Sequence, residues 1–255
     1  MKYALFLGSL LLMTSACEAK PAKDPAVTAK AMTQTSGITL TAKDGVKIFG
    51  AYYQAATPKA IILLFHQAGS NKSEYATIAP RLVTAGYSAL AIDQRSGGED
   101  FGAVNETVKA LGKETSFSAA KADLEAALDW ASDKKLPVII WGSSYSAALV
   151  YELAAENPDR ITAALAFSGG DYLGSRRVPN AAAKITMPLF ATAPKNEISE
   201  MRPILESAPS LNKTFFVAKT PGVHGSSTLI PSENPKGSEE TWVAVLAFLK
   251  SALPQ

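Results

Sequence analysis

The sequence has a single cysteine, only two histidines and no excess of charge of either sign. One cysteine excludes an internal disulfide framework and a cysteine-rich metal site, and two histidines leave few imidazoles for a zinc site. With 25 basic and 23 acidic residues among 255, the net charge is +2. That balance argues against the basic stripe of a nucleic-acid-binding protein. We therefore expect no metal site and no nucleic-acid partner.

Long apolar runs are equally scarce. Beyond the N-terminus, no stretch approaches the roughly 20 apolar residues that a membrane-spanning helix needs. Residues 1–16 combine an early lysine, an apolar run over 3–13 and a few small residues. This pattern is typical of a secretory signal peptide, and its apolar region is too short for a permanent membrane span.

The one cysteine, Cys17, follows directly on this segment. It is preceded by Thr14, Ser15 and Ala16, and the segment resembles a bacterial lipoprotein signal, in which the cysteine becomes the lipidated first residue. The resemblance implies export to the periplasm or outer surface of a bacterial envelope, with membrane contact only through a lipid at Cys17. The alternative is ordinary cleavage behind Ala19, which would discard the cysteine.

The rest of the chain predicts a tether followed by one α/β domain. Residues 17–37 are rich in Ala, Lys, Pro and Thr, which indicates a flexible tether, and the domain spans 38–255. Helical patterns separate most of the predicted strands, so we expect a mostly parallel eight-stranded sheet with helices on both faces. The Asp44-Gly45 turn predicts a hairpin that adds an antiparallel N-terminal edge. The predicted strands are 38–42, 46–53, 60–65, 87–92, 137–141, 162–167, 188–192 and 214–218.

A serine between small residues lies at one strand-to-helix turn. Ser144 follows the strand 137–141, with Gly142 two residues before it and Ser146 two residues after it. A nucleophile elbow needs small residues at these two positions, because the turn is tight. We interpret Ser144 as a nucleophile, with the Tyr145 N–H at the start of the next helix facing a developing oxyanion. The alternative is a Gly/Ser loop that merely caps a helix.

A serine nucleophile needs a base that titrates near neutral pH, and only His66 and His224 are available. His66 ends the strand 60–65, and His224 follows the strand 214–218. With the elbow and these two positions, the chain resembles the α/β-hydrolases over residues 38–252, in particular the dienelactone hydrolases and small esterases.

The resemblance implies a role for each histidine and for the loop after His66. In the family the order along the chain is nucleophile, acid and histidine, and His224 matches the catalytic histidine. His66 matches the histidine that begins the oxyanion-hole loop, and we interpret it as a bracing residue behind the catalytic groups. The second oxyanion donor would be the amide of Gln67 or of Ala68.

The resemblance places the acid after the strand 188–192, where the family usually has aspartate. This segment has none, and Glu197 is its first carboxylate; glutamate can serve, because orienting the imidazole needs only a carboxylate within reach. Asp171, after the strand 162–167, is the main alternative, and Glu200 is a weaker one.

These residues predict a serine hydrolase that cleaves a carboxylic ester, or a related acyl bond, of a small molecule through an acyl-enzyme on Ser144. Asp93 and Arg95 match a turn that is structural in the family, and we assign them no chemistry. Two alternatives remain open: a thioesterase, acyltransferase or peptidase on the same triad, and an inactive, ligand-binding lipoprotein of the same fold.

Overall fold

The computed structural model describes Met1 and residues 34–253. The predicted signal peptide beyond Met1, the predicted lipidation site Cys17 and most of the predicted tether lie outside the described residues. Within them, no helix is long and apolar enough to cross a membrane.

Strands and helices alternate along the described chain. The strands are β1 (Gln34–Thr41), β2 (Lys47–Gln54), β3 (Ile61–Phe65), β4 (Ser88–Ile92), β5 (Val138–Ser143), β6 (Ala163–Phe167), β7 (Leu189–Thr192) and β8 (Lys213–Phe216). The α-helices of the described residues are α1 (Ile78–Thr84), α2 (Glu106–Leu111), α3 (Lys121–Ser132), α4 (Tyr145–Glu156), α5 (Arg177–Ala182), α6 (Ile198–Glu206) and α7 (Ser238–Ala252).

The eight strands form one sheet in the order β1-β2-β4-β3-β5-β6-β7-β8. β1 pairs with β2, and β2 with β4, in antiparallel fashion, whereas every pairing from β4 through β3 to β8 is parallel. The predicted mostly parallel sheet with an antiparallel N-terminal edge is therefore confirmed. Since the parallel strands all end on one side of the sheet, the loops that follow them lie together there.

β1 begins at Gln34, four residues before the strand expected at 38. Residues 34–37, assigned to the tether from composition, instead pair with residues 51–54 of β2. Their polar side chains show no apolar alternation, because an outermost strand can be held by backbone hydrogen bonds to a single neighbour while its side chains face solvent. The described residues from 34 onward all belong to one compact unit.

The central strands are buried on both faces, which explains their continuous apolar sequence. In β3, Ile61, Leu63 and Phe65 pack into one core with α3 and α4. Ile62 and Leu64 point the other way into a second core with α1 and α7. Helices therefore cover both faces and hold the strand ends, with the loops that follow them, in fixed positions.

Candidate active site

Ser144 lies at a strained turn between β5 and α4. Its φ of 58° and ψ of −124° are unusual for a residue with a side chain. A Cβ on Gly142 would lie 2.5 Å from the backbone nitrogen of Ala147 and from the carbonyl of Ser146, so the turn requires glycine there. Ser144 itself is 8% exposed. This is the geometry of a nucleophile elbow, and the sequence pattern predicted it.

The loop that carries His224 is fastened to the ends of two central strands. The Gly225 N–H donates to Ser168 Oγ at 3.0 Å, and the Ser226 N–H donates to Ser143 Oγ at 2.8 Å. Ser143 ends β5 and Ser168 directly follows β6, so this loop lies beside the elbow. Gly225 has φ +66°, and a Cβ there would lie 2.4 Å from Ser143 Oγ, so a larger residue could not make the same approach.

The structure pairs His224 with Glu197 rather than with Asp171. His224 Nδ1 lies 2.8 Å from Glu197 Oε1, while Asp171 Oδ1 accepts a hydrogen bond from the Val178 N–H in α5. Glu200 makes no hydrogen bond to His224 within the described residues. Of the three carboxylates considered from sequence, Glu197 is the one that contacts the imidazole.

A contact between two loops brings Glu197 to His224. The Lys195 N–H donates to the Pro221 carbonyl at 2.8 Å. Gly222 has φ +81°, and a Cβ on it would lie 3.0 Å from Pro194 Cα. The loop after β7 and the loop after β8 therefore touch along their backbones, which places the Glu197 carboxylate within reach of Nδ1.

Neither Ser144 Oγ nor His224 Nε2 forms a hydrogen bond within the described part of the chain. With Nδ1 on Glu197, Nε2 is left as the nitrogen that can accept a proton. The His224 side chain is 39% exposed, so this nitrogen belongs to a site open to solvent. Bonds between nucleophile and base commonly tighten only when substrate is bound.

The two expected amides of the oxyanion loop differ in their partners. The Gln67 N–H donates to Glu74 Oε2 at 2.8 Å, so of the two alternatives it is the amide that is already engaged and not free for a substrate. The physical reason is a buried acceptor that the sequence pattern did not reveal. The N–H groups of Ala68 and Tyr145 form no hydrogen bond among residues 34–253, and these two amides remain as donors.

His66 is fully buried and fixes the peptide that carries the Ala68 N–H. Its Nδ1 lies 2.8 Å from the Gln67 carbonyl oxygen, and the Gln94 N–H donates to its Nε2 at 3.0 Å. Burial lowers the pKa of His66 to about 4, so the ring is neutral, with its proton on Nδ1. A ring in this position braces the loop, and both of its nitrogens are already engaged in hydrogen bonds.

Ser146 replaces the second glycine of the usual elbow, and its hydroxyl has a structural use. Ser146 Oγ donates to the His66 carbonyl at 2.5 Å and accepts from Gln94 Nε2 at 2.7 Å. Gln94 also accepts from the His66 N–H through Oε1 at 2.8 Å. The elbow helix is thereby joined to the oxyanion loop by hydrogen bonds that glycine could not make.

Tyr172 is a site residue that the sequence reasoning missed. It lies in the loop after β6 with 39% of its surface exposed. The pKa of Tyr172 is raised to about 12, chiefly by burial and also by the carboxylates of Glu197 and Glu200, while the nearby Ser144 hydroxyl acts in the opposite direction. The only available signal was its position beyond the carboxyl end of a parallel strand, where ligands bind.

The other charged groups near the strand ends serve the framework. Asp93 accepts hydrogen bonds from the backbone N–H groups of Lys72 and Glu106 at 2.7 and 2.8 Å. Arg95 Nε donates to the buried Asp123 at 2.8 Å. Both were expected to be structural. No group of three or more His, Cys, Asp or Glu side chains within residues 34–253 is arranged to hold a metal ion.

Comparison with known proteins adds a family and a fold. The family model described as serine aminopeptidase, S33, matches residues 56–216, more than half of the chain, and this stretch includes the elbow but ends before His224. By sequence, no curated protein matches the chain.

Several solved structures share the fold at low sequence identity. The Pyrococcus furiosus esterase Pf2001 has 20% identity and a TM-score of 0.69, over 87% of this chain and 94% of its own. A dienelactone hydrolase from Anabaena variabilis has 18% identity and a TM-score of 0.69, over 87% and 99%. A cold-adapted esterase from an Arctic intertidal metagenomic library has 22% identity and a TM-score of 0.67, over 89% and 97%. The architecture is thus that of the α/β-hydrolases, as the resemblance implied.

Proposed function

The chain belongs to the serine aminopeptidase, S33, family of hydrolases, and from this premise we propose that it is a serine hydrolase that cleaves a carboxylic ester through an acyl-enzyme on Ser144. The observation that carries the proposal is the strained elbow at Ser144 next to a loop whose His224 Nδ1 lies 2.8 Å from Glu197 Oε1. A histidine held in this way presents its other nitrogen as a base near neutral pH.

In the first half of the proposed reaction, Ser144 Oγ attacks the ester carbonyl carbon and His224 Nε2 takes the hydroxyl proton. The negative charge that forms on the carbonyl oxygen is stabilised by the N–H groups of Tyr145 and Ala68, and the first of these lies at the positive end of α4. The carbon–oxygen bond to the alcohol then breaks, and His224 gives its proton to the departing alkoxide.

In the second half, water attacks the acyl carbon and His224 Nε2 takes a proton from it. The bond between Ser144 and the acyl group breaks, His224 returns the proton to Ser144 Oγ, and the carboxylic acid leaves. Glu197 accepts the Nδ1 hydrogen bond throughout and stabilises the imidazolium that forms in each half. The scheme needs no metal or cofactor.

An activity-based probe tests this mechanism directly. A fluorophosphonate should label the protein once per chain at Ser144, because the probe reports an activated serine. Ser144→Ala should abolish both the label and hydrolysis of p-nitrophenyl acetate. Labelling at another residue, or unchanged turnover in the variant, would contradict the mechanism. A folded wild type that does not react would favour the inactive, ligand-binding alternative.

A second candidate, an aminopeptidase, is favoured by the description of the matching family. The same triad hydrolyses amides when the leaving amine receives the proton from His224. A panel of p-nitrophenyl esters, acyl thioesters and aminoacyl p-nitroanilides separates the classes by their kcat/KM. We expect the short-chain esters to give the largest values, and a preference for aminoacyl anilides would assign the peptidase instead.

We further propose that the chain is exported and lipid-anchored through Cys17 on the bacterial envelope. The support is the sequence of residues 1–17, with small residues at positions 15 and 16. Mass spectrometry of the mature protein from a bacterial host should show an N-terminal Cys17 with a diacylglyceryl mass, and Cys17→Ser should lose that mass. A mature N-terminus at residue 20 would show ordinary cleavage instead.

A further inference from the structure

Glu74 is a fully buried carboxylate in the short 3-10 helix Lys72–Tyr75. Its Oε2 accepts the Gln67 N–H at 2.8 Å, and its Oε1 forms no hydrogen bond within the described residues. None of the ion pairs among residues 34–253 includes it. Burying a carboxyl group without a cation is costly, so a bond that an apolar side chain could not make must offset that cost.

The surroundings of Glu74 favour a neutral carboxyl group at mildly acidic pH. The pKa of Glu74 is raised to about 7, chiefly by burial and slightly by the Asp100 carboxylate, while the hydroxyls of Ser143 and Ser70 and the amide of Gln67 act in the opposite direction. A protonated carboxyl can still accept the Gln67 N–H through its other oxygen. The bond to Gln67 is therefore available whether or not the group is ionised.

Glu74 lies where three segments of the site meet. It bonds to Gln67 in the oxyanion loop, and it lies beside Ser143, the residue before the nucleophile. Ser143 Oγ in turn accepts the Ser226 N–H, two residues after His224. No other part of the catalytic mechanism described above uses this carboxyl group.

The bonds around Gln67 show what Glu74 controls. The peptide between His66 and Gln67 is held at both ends, since its carbonyl accepts from Ser146 Oγ and its N–H donates to Glu74. The next peptide is trans and planar, so its Ala68 N–H points away from the Gln67 carbonyl, which faces His66 Nδ1 and the Ser70 N–H. With the first peptide held, the second presents its free N–H in one direction.

We propose that Glu74 is a positioning residue for the oxyanion hole: by accepting the Gln67 N–H it fixes the loop that presents the Ala68 N–H to the oxyanion. This inference rests on the proposed acyl-enzyme mechanism. We expect Glu74 to affect kcat and not KM. The oxyanion amide contacts a negative charge that only the transition state and the tetrahedral intermediate carry.

Two neutral variants of similar volume isolate the hydrogen bond. Glu74→Gln keeps an acceptor for the Gln67 N–H, whereas Glu74→Met fills the space without one. For each we would measure kcat and KM on p-nitrophenyl acetate, the second-order rate of fluorophosphonate labelling and the final number of labels per chain, at pH 6. Glu152, a buried carboxylate of α4 paired with Arg177 at 2.7 Å, supplies matched Gln and Met controls.

We expect Glu74→Met to lower both kcat and the labelling rate by about 10- to 100-fold, with KM nearly unchanged, since losing one oxyanion donor outright costs about 100- to 1,000-fold. Labelling should still reach one per chain. Glu74→Gln should stay within about threefold of wild type, and both Glu152 variants should match wild type per folded molecule.

The outcomes separate this inference from the proposed function. Equal labelling rates and kcat for Glu74→Met and Glu74→Gln overturn the positioning role while Ser144 remains the nucleophile. If Glu74→Met lowers only the number of labels per chain or the melting temperature, Glu74 is a purely structural residue. That result also overturns the positioning role. A wild type that is not labelled at all overturns the acyl-enzyme mechanism, and the positioning role with it.

Discussion

At the scale of single residues, the site depends on which carboxylate the backbone brings to His224. Glu197 directly precedes α6, and its carboxylate contacts Nδ1 of His224 from a loop that backbone contacts hold against the loop of His224. Asp171 lies in the loop after β6, and there its carboxylate accepts the Val178 N–H. Replacing Glu197 and replacing Asp171 should therefore have different effects, although the sequence alone allowed either residue as the acid.

Replacing each carboxylate by its amide distinguishes them. We expect Glu197→Gln to lower kcat by about 1,000-fold or more, because the amide neither stabilises the imidazolium nor fixes the tautomer that leaves Nε2 free. Asp171→Asn should keep kcat within about threefold of wild type. Steady-state kinetics on p-nitrophenyl acetate provide the measurement. A large loss in Asp171→Asn with little change in Glu197→Gln would reverse the assignment.

At the scale of elements, loops from different strand ends are held together where glycine allows close approach. Gly142 lets the start of α4 pass over the end of β5, Gly222 lets the loop of His224 meet Pro194, and Gly225 seats that loop on Ser143. The geometry of the candidate site thus depends on backbone contacts between elements that are distant in sequence. Backbone packing of this kind tolerates little added volume.

Gly225→Ala tests this dependence. The new methyl group would lie 2.4 Å from Ser143 Oγ at a φ of +66°, so the loop must shift and His224 with it. We expect a loss of stability of about 1–3 kcal/mol and a fall in kcat of at least tenfold. Thermal unfolding and steady-state kinetics provide the two measurements.

Gly37→Ala is the matched control for Gly225→Ala. A Cβ at Gly37 in β1 meets nothing within 4 Å, so its stability should stay within about 0.5 kcal/mol of wild type. If Gly225→Ala is as active and as stable as this control, the loop is not held against Ser143 as the contacts indicate.

Local sequence predicted the elements better than it predicted the contacts between them. The strands β3 to β8 were expected within one or two residues, because buried apolar runs are a local signal. The start of β1 was missed, since polar residues 34–37 join the sheet only through pairing with β2. The choice between the Gln67 and Ala68 amides stayed open, because the acceptor of the Gln67 N–H, Glu74, lies in a turn that sequence pattern does not bring near it.

At the scale of the whole molecule, the sheet order places every candidate residue at one edge. Ser144 follows β5, Tyr172 follows β6, Glu197 follows β7 and His224 follows β8. Since these four strands are neighbours and parallel, four loops far apart in sequence become adjacent. The architecture and the positions of Ser144 and His224 as candidate site residues could be inferred from sequence for this reason, whereas the choice between candidate acids needed the actual contact between loops.

Two buried titratable groups, His66 and Glu74, contribute to the stability of the whole molecule with opposite pH dependence. Burial lowers the pKa of His66 to about 4, so folding favours its neutral form. The contribution of His66 to the free energy of unfolding therefore rises with pH from about 4 until the histidine of the unfolded chain deprotonates near 6.5. Glu74 has a pKa raised to about 7. Folding favours the protonated form of Glu74, and the contribution of Glu74 to the free energy of unfolding is lost as pH rises from about 4.5 to 7. The two partly cancel in the wild type between pH 4.5 and 6.5.

Comparing Glu74→Gln with the wild type removes that cancellation, because His66 and all other groups are common to both proteins. The unfolding free energy of the variant minus that of the wild type should increase by about 1.4 kcal/mol per pH unit between pH 5 and 7 and then level off. The total change from pH 4.5 to 8 should be about 3 kcal/mol, and urea unfolding at half-unit steps measures it. A difference that is the same at pH 5 and pH 8 would mean that Glu74 titrates alike in the folded and unfolded chains. The carboxyl group would then have to be ionised in the interior at pH 5, which the absence of any cation paired with it among residues 34–253 argues against.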